Sequence, residues 1–359
     1  MRSVLRTALA AVVSSLIVWS GSAAAALPVV EPIAWPAITG FDPDGAADLS
    51  GLACGPPSGD RRSCVIVDDE GRRIRFATIG GRTIDLGPEM AVLDKETVDP
   101  ASGAKITNKE ADLEAVARDG DVYWVVGSHG TKRHRGSGAK DCPPVPARRH
   151  VYRFAVDGAT GLPAFPFDRK VAAKEIRRID RLPEILAKLP DLGPHVDAAT
   201  CGDDGGFTLE GAAVAAGRMF LGVRAPLTAQ GRGAFVVELD AEGLAGGGGA
   251  KATLHRLPLG TGMGVRDMAA VGDGLLILAG PSGSDDGKTR PSSTVWFWAG
   301  AGRDPVALAL LGGVPEGAEP EGMAVLDQGP AGWRVLILHD GVVGGAPREY
   351  AISRHGMSP

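Results

Sequence analysis

The sequence predicts an all-β protein, a β-propeller of five four-stranded blades with one helical insertion; six blades are the alternative count. Three observations predict it. One short phrase recurs five times along the chain, the intervals between copies suit one four-stranded sheet with its loops, and the two ends together supply one further unit. Glycine and proline are also dense, 52 and 26 in 359 residues, so turns must be frequent and long helices cannot dominate.

The phrase is a carboxylate or hydroxyl, a small residue, an apolar–Ala pair, then a turn and an apolar strand. Its copies are 48–53 (Asp-Leu-Ser-Gly-Leu-Ala), 112–117 (Asp-Leu-Glu-Ala-Val-Ala), 208–213 (Thr-Leu-Glu-Gly-Ala-Ala), 266–270 (Arg-Asp-Met-Ala-Ala) and 320–324 (Pro-Glu-Gly-Met-Ala). Each precedes a second strand: 64–67, 122–127, 219–223, 275–280 and 335–338, entered through turns such as Asp119-Gly120 and Asp273-Gly274. Outer strands are expected at 72–78, 150–156, 234–239, 294–298 and 348–352. Anchors at Ser50, Glu114, Glu210, Asp267 and Glu321 stand 64, 96, 57 and 54 residues apart. The long second interval holds residues 171–189, where Ile176, Ile179, Leu182, Ile185 and Leu189 recur at helical steps interrupted by Pro183, so an amphipathic helical insertion outside the ring is expected there. A last sheet shared by both chain ends would close residues 27–359 into a single ring and remove an exposed edge.

Composition and compartment follow. At 44% hydrophobic and 23% charged residues the chain is globular, and a formal charge of −5 disfavours nonspecific nucleic-acid binding. Arg2 and Arg6, an apolar run over 7–19 and the small residues of 21–26 read as a secretory signal peptide, 1–26, cleaved after Ala24, Ala25 or Ala26. The run is too short to span a bilayer, and no later segment reaches spanning length. A periplasmic or secreted location is expected, where disulfides persist. Cys54 and Cys64 flank a Gly-Pro-Pro-Ser-Gly turn between two apolar segments, so antiparallel pairing favours a Cys54–Cys64 bond and leaves Cys142 with Cys201. Zinc is the weaker reading, because no Cys-x2-Cys spacing occurs.

The runs 52–64 (Leu-Ala-Cys-Gly-Pro-Pro-Ser-Gly-Asp-Arg-Arg-Ser-Cys), 127–130 (Gly-Ser-His-Gly), 254–260 with 264–267, and 345–350 (Gly-Ala-Pro-Arg-Glu-Tyr) resemble the bacterial domain-of-unknown-function family 3616 over nearly all of the mature chain. Through the short Glu-Gly-apolar-Ala phrase the chain is also similar to propellers labelled esterase-like or phytase-like. The closer resemblance implies a propeller in an exported bacterial protein and supplies no catalytic residue.

In a propeller, starts of inner strands and ends of second strands share one face. One mouth of the channel would then gather Ser50, Glu114, Glu210, Asp267 and Glu321 with Asp68, Asp69, Ser128, His129, Arg224, Ser282, His339 and Asp340. The candidate ligand-binding set is Glu114, His129, Glu210, Arg224, Asp267, Glu321 and His339. Carboxylates can hold a divalent cation such as Ca2+, while the histidines and arginine can contact an anion. The expected function is binding of a small anionic molecule, a phosphate or carboxylic ester, with metal-assisted hydrolysis as the reaction such a site would carry. The alternative is a non-catalytic scaffold presenting a face to an envelope component, with the carboxylates accepting backbone N–H groups of neighbouring blades.

Other motif matches fail. Residues 283–289 end like a phosphate loop but have the wrong glycine spacing and run into Arg290-Pro291; 280–284 lack the final glycine of a nucleophile elbow; 42–45 lack the ligand series of a helix–loop–helix calcium site. The basic run Lys132-Arg133-His134-Arg135 reads as a solvated loop that could draw anions toward the mouth. Neither a haem-attachment motif nor a dinucleotide glycine fingerprint occurs.

Overall fold

Successive hairpins fold onto one another as five blades around a central channel. The computed structural model describes residues 26–41, 47–98, 103–131, 142–201, 205–248, 250–283 and 292–354. The leader of 1–26, save Ala26, the 42–45 segment, the basic run 132–135 and nearly all of the 283–289 turn lie outside the described residues.

Blade 1 comprises Leu49–Cys54, Arg61–Asp68, Arg73–Gly80 and Thr83–Ala91. Blade 2 comprises Leu113–Asp119, Val122–Gly127, Val151–Ala155 and Arg177–Ile179. Blade 3 follows with Thr208–Ala215, Arg218–Ala225, Ala234–Asp240 and Ala252–Leu257. Blade 4 has Met263–Val271, Gly274–Pro281, Thr294–Trp298 and Val306–Leu311. Blade 5 has Glu319–Gly329, Gly332–Asp340 and Arg348–Ser353, and takes its outermost strand, Ile33–Ala34, from the N-terminal side. Just before that strand, Val29–Val30 runs parallel to Leu310 and Leu311 on the outer edge of blade 4. The N-terminal segment therefore ties down two neighbouring edges before the chain enters blade 1, leaving fewer unpaired backbone groups at the seam.

Alternating side chains of each sheet face the blades on either side, so the core is divided among the joints. Val65, Phe76, Val116 and Tyr123 fill the joint of blades 1 and 2. Trp124, Leu209, Leu221 and Phe235 fill that of blades 2 and 3, and Val236, Val265, Ile277 and Trp298 that of blades 3 and 4. Leu278, Phe297, Trp333 and Tyr350 pack between blades 4 and 5, and Leu52, Ile66, Leu336 and Leu338 close the ring between 5 and 1.

The 171–189 segment differs from expectation. A helix spans Arg169–Glu175, capped by the Asp168 carboxylate on the Lys170 and Val171 amides, but Arg177–Ile179 pairs with Val151–Arg153 as the fourth strand of blade 2. Helical turns resume at Leu182–Leu186 and Gly193–Val196, with Pro183 and Pro194 in their first turns, where a missing N–H costs nothing. Leu182, Ile185, Leu186 and Leu189 are buried in the joint of blades 2 and 3 rather than outside it. Apolar steps of three and four residues straddled a strand and two short turns, and a periodicity of that kind does not mark where one element gives way to the next.

Both disulfides are formed. Cys54 and Cys64 face each other across the first hairpin with Cα atoms 4.0 Å apart. Cys142 and Cys201 bridge a separation of 59 residues, joining the loop after the second strand of blade 2 to the segment that leads into blade 3. Among the described residues no helix is long and apolar enough to cross a membrane.

Candidate functional site at the channel mouth

One local device, repeated in every blade, builds the mouth. At the start of each inner strand the ladder is broken, with one residue left unpaired in blades 1 to 4 and two, Glu321 and Gly322, in blade 5. Pairing steps from Leu49–Asp68 to Gly51–Val67 in blade 1 and from Leu113–Gly127 to Ala115–Val126 in blade 2. It steps from Leu209–Val223 to Gly211–Gly222 in blade 3, from Val265–Ala279 to Asp267–Leu278 in blade 4, and from Pro320–His339 to Met323–Ile337 in blade 5. A bulge of this kind kinks its strand and re-aims the extra side chain. The residues released are Ser50, Glu114, Glu210, Arg266 and Glu321, all buried.

The Arg266 guanidinium proves the convergence. Its Nη1 lies 3.1 Å from Glu210 Oε2 in blade 3, while Nη2 pairs with Glu321 in blade 5 and lies 2.6 Å from Glu319 Oε2. Burial works against this charge, but Glu210, Glu321 and Glu319 outweigh it and hold the guanidinium more firmly protonated than usual. Arg224, from the end of the second strand of blade 3, adds Nη1 2.7 Å from Glu210 Oε1.

The fourth copy is offset from its sequence anchor. Arg266 holds the ring position, and Asp267 stands where Gly51, Ala115, Gly211 and Gly322 stand in the other blades. At that place neighbouring backbones nearly touch: a side chain on Gly51 would come within 2.9 Å of the Glu114 carbonyl oxygen, and one on Gly322 within 3.1 Å of the Leu52 amide. Asp267 fits by accepting hydrogen bonds there, from Met268 N–H at 2.7 Å, from Met323 N–H in blade 5 at 2.6 Å, and from Ala212 N–H in blade 3. Burial pushes its carboxyl well up, and the three amides work the other way. Its oxygens thus join three blades and face no open space.

Glu114 is in the opposite situation. It is 6% exposed, and among the described residues its side chain makes no hydrogen bond or ion pair. Burial, followed by Glu210, Asp112, Asp69 and Glu321, pushes its carboxyl well above the usual range. Asp112 is bound by Ser128 Oγ and by Arg148, whose Nη1 is 2.9 Å away and whose other arm pairs with Glu110. Glu321 is also raised, by burial, against the pull of Arg266. Around the rim, burial lifts Asp68 and Asp340 to about 6, with Asp48 adding repulsion to both. Among the described residues carboxylates outnumber the three arginines, Arg148, Arg224 and Arg266, and each of these is already paired. Past the ring the channel leads to a cavity of about 140 Å³ lined by residues such as Leu52, Ala213, Met268 and Met323.

Of the seven predicted residues, four meet: Glu114, Glu210, Glu321 and Arg224. Neither histidine hydrogen-bonds to a ring residue. His129, in a left-handed conformation (φ 57°), has Nδ1 2.8 Å from the Gly127 carbonyl, and burial lowers its pKa to about 3. His339 lies fully buried against the backbone of Gly345 and Ala346 and is lowered to about 4, again by burial. Ser282 uses its backbone N–H on Gly262. Arg266, Asp112, Glu319 and Arg148 were not among the candidates. Aligning the small residue after each anchor identifies Arg266, and stepping two residues back identifies Asp112 and Glu319; Arg148 comes from a short helical turn at Pro146–Arg148 that carries no repeat signal.

A family model described as "Protein of unknown function (DUF3616)" matches residues 87–148 and 167–344. No curated protein matches the sequence. Similar solved structures include the exo-β-1,3-galactanase of Phanerochaete chrysosporium (TM-score 0.43, 9% identity, 90% of this chain and 64% of that one). Others are the xylan β-1,4-xylosidase of Bacillus halodurans C-125 (0.44, 9%, 87% and 53%) and the exo-β-1,3-galactanase of Clostridium thermocellum (0.45, 12%, 89% and 62%). The chain spans about half to two thirds of the length of these three proteins. At such scores and identities they say nothing about what this mouth binds.

Proposed function

Because the chain belongs to the family of unknown function DUF3616, whose description assigns no chemistry, we propose from the mouth's geometry that it is a propeller that binds a small anionic, hydroxyl-rich ligand of the sugar-acid class. The observation that carries this reading is the ring of bulges, which turns five side chains out of the ladders and into one mouth. Carboxyl oxygens accept hydrogen bonds, so Glu210 and Glu321 suit ligand hydroxyls, and the guanidinium of Arg224, held by Glu210 through Nη1, suits an acid group. A bare phosphate has no hydroxyl array to offer and meets a surplus of negative charge. Hydrolysis of an ester of such a ligand would need a proton donor at the ring, a role for which burial prepares Glu114. The leader and the two disulfides support export to the periplasm or beyond.

Thermal unfolding of the purified protein with EDTA present, across glucuronate, galacturonate, glucose and phosphate, tests the binding. The expected result is a rise in Tm with a sugar acid, absent with glucose, and lost in Glu210→Gln. Flat responses in the presence and absence of divalent cations would reject it. They would favour the scaffold reading, which Asp267 supports because its carboxylate is occupied entirely by backbone amides.

A further inference from the structure

We propose that a cleft on the face opposite the mouth, where blades 5 and 1 close the ring, binds a single phosphate group through Arg62, Arg82 and Arg334. The site is separate from the mouth and does not depend on what the mouth binds. The cleft has a volume of about 310 Å³, with Trp35 and Leu326 in its wall and all three arginines among its lining residues. That volume lies at the small end of the range for ligand sites. Arg62 stands near the start of the second strand of blade 1, Arg334 near the start of the second strand of blade 5, and Arg82 in the turn after the third strand of blade 1. Second strands run toward the mouth, so their starts lie away from it.

The three charges are only partly answered. Arg82 and Arg334 share one buried carboxylate, that of Glu349, and both reach it through Nε, at 3.4 Å from Arg82 to Oε2 and 3.0 Å from Arg334 to Oε1. Trp35 Nε1 also donates to Oε2, at 3.0 Å. Among the described residues the terminal nitrogens of these two arginines have one further partner, Asp327, 3.9 Å from Arg334 Nη1. Arg62 pairs with no described carboxylate; its Nη1 and Nη2 donate to the carbonyls of Gly55 and Leu326. Burial lowers its pKa, Asp327 works the other way, and Arg334 stands close enough to add repulsion. A half-buried cation without a counter-ion is costly, and an anion in the cleft answers it.

A separate observation concerns the backbone. Gly80 pairs with Thr83 across a two-residue turn whose central residues, Gly81 and Arg82, both have positive φ, 55° and 68°. Such a turn favours glycine, asparagine or aspartate, and a long side chain is held there at a cost. The turn gains nothing from an arginine, whereas the cleft gains a guanidinium.

The donor set selects the ligand. Guanidinium groups donate in planar forks that match carboxylate and phosphate oxygens. A carboxylate offers two oxygens in one plane. A phosphate offers oxygens in several directions and up to two charges, which suits three guanidiniums arriving from two strands and a turn. Asp60 and Asp327 also line the cleft, both exposed to water, where screening weakens their hold on the arginines. Their presence disfavours an extended polyanion and leaves the arginines to one compact phosphate.

The test is isothermal titration calorimetry of the full protein at low ionic strength with inorganic phosphate, glycerol 3-phosphate and acetate. Wild type, Arg82→Gln, Arg62→Gln, Glu210→Gln and an exposed control, Arg169→Gln, are compared, with circular dichroism confirming the fold of each. The expected result is phosphate binding at least tenfold tighter than acetate binding, weakened at least fivefold in Arg82→Gln and Arg62→Gln and unchanged in Glu210→Gln and the control. Glycerol 3-phosphate bound as tightly as inorganic phosphate identifies a monoester site, and weaker binding a site for free phosphate. Absence of heat with millimolar phosphate on folded wild type overturns the proposal, as does unaltered binding in folded Arg82→Gln. Loss of binding in Glu210→Gln also overturns it, because the phosphate would then sit at the mouth. Should Arg62→Gln fail to fold, Arg82→Gln decides, since its side chain is 55% exposed.

Discussion

Replacing Asp267 with asparagine separates what holds the ring together from what the ring binds. Asp267 is fully buried, and its two oxygens accept N–H groups at 2.7 and 2.6 Å from Met268 and Met323, with Ala212 as a third donor. Hydrogen bonds to a charged acceptor contribute about 1.5–3 kcal/mol each. Asparagine keeps one acceptor oxygen and turns a donor NH2 toward amides that are themselves donors. At least one charge-assisted bond is lost and one buried N–H is left alone, at a further cost of about 1–3 kcal/mol. Relief from burying the ion offsets part of this, so the expected loss is about 2–4 kcal/mol in urea unfolding at pH 7. The Tm response to a sugar acid should survive, because these oxygens face backbone. A loss under about 0.5 kcal/mol, or a stable variant whose ligand response has vanished, would refute the assignment of Asp267 to the joints.

Removing the disulfides should cost unequally. Chain-entropy arguments give about 3 kcal/mol for C54A/C64A and about 4 kcal/mol for C142A/C201A, from separations of 10 and 59 residues, readable in urea unfolding; equal losses would deny the loop-length account. The His339 imidazole takes a proton near 6.5 when unfolded but only near 4 when folded, so the unfolded state binds more protons between those values and acid destabilises by about 3 kcal/mol through this ring. Asp68 and Asp340, raised to about 6, act in the opposite sense over roughly the same range, so the difference between wild type and His339→Gln, measured from pH 7 to pH 4, isolates the histidine; parallel profiles would contradict it. Gly322→Ala puts a methyl 3.1 Å from the backbone of Gly51 and Leu52, so urea unfolding should register about 1–3 kcal/mol of loss, and an unchanged midpoint would mean that the joint of blades 5 and 1 has slack.

The blades were legible because hairpin periodicity is written in local residues: the strand expected at 122–127 is Val122–Gly127, and the one at 294–298 is Thr294–Trp298. Cys54 and Cys64 were legible for the same reason, as cross-strand neighbours. The ring was harder to read. A bulge shifts register by one residue without changing hydrophobic alternation on either side, so the choice between Arg266 and Asp267 needed the backbone. Residues 177–179 became a strand through pairing with Tyr152, a partner far away in sequence, against a local pattern that favoured helix. Arg148 reached the mouth from a turn outside the repeat, and nothing in its neighbourhood marked it.

The bulges carry one more consequence. Each ring residue stands outside the hydrogen-bonded ladder of its own sheet, so its identity is uncoupled from strand pairing and, except where it braces a neighbour as Arg266 does, from the stability of the blade. The five sites behave as sockets on a common chassis, filled here by serine, three glutamates and an arginine. Rewriting Ser50 or Glu114 alters the charge and reach of the mouth while the sheets beneath keep their register. A propeller built this way can trade one recognition chemistry for another by single substitutions, and the barrier to such a change lies in the charge balance among the sockets.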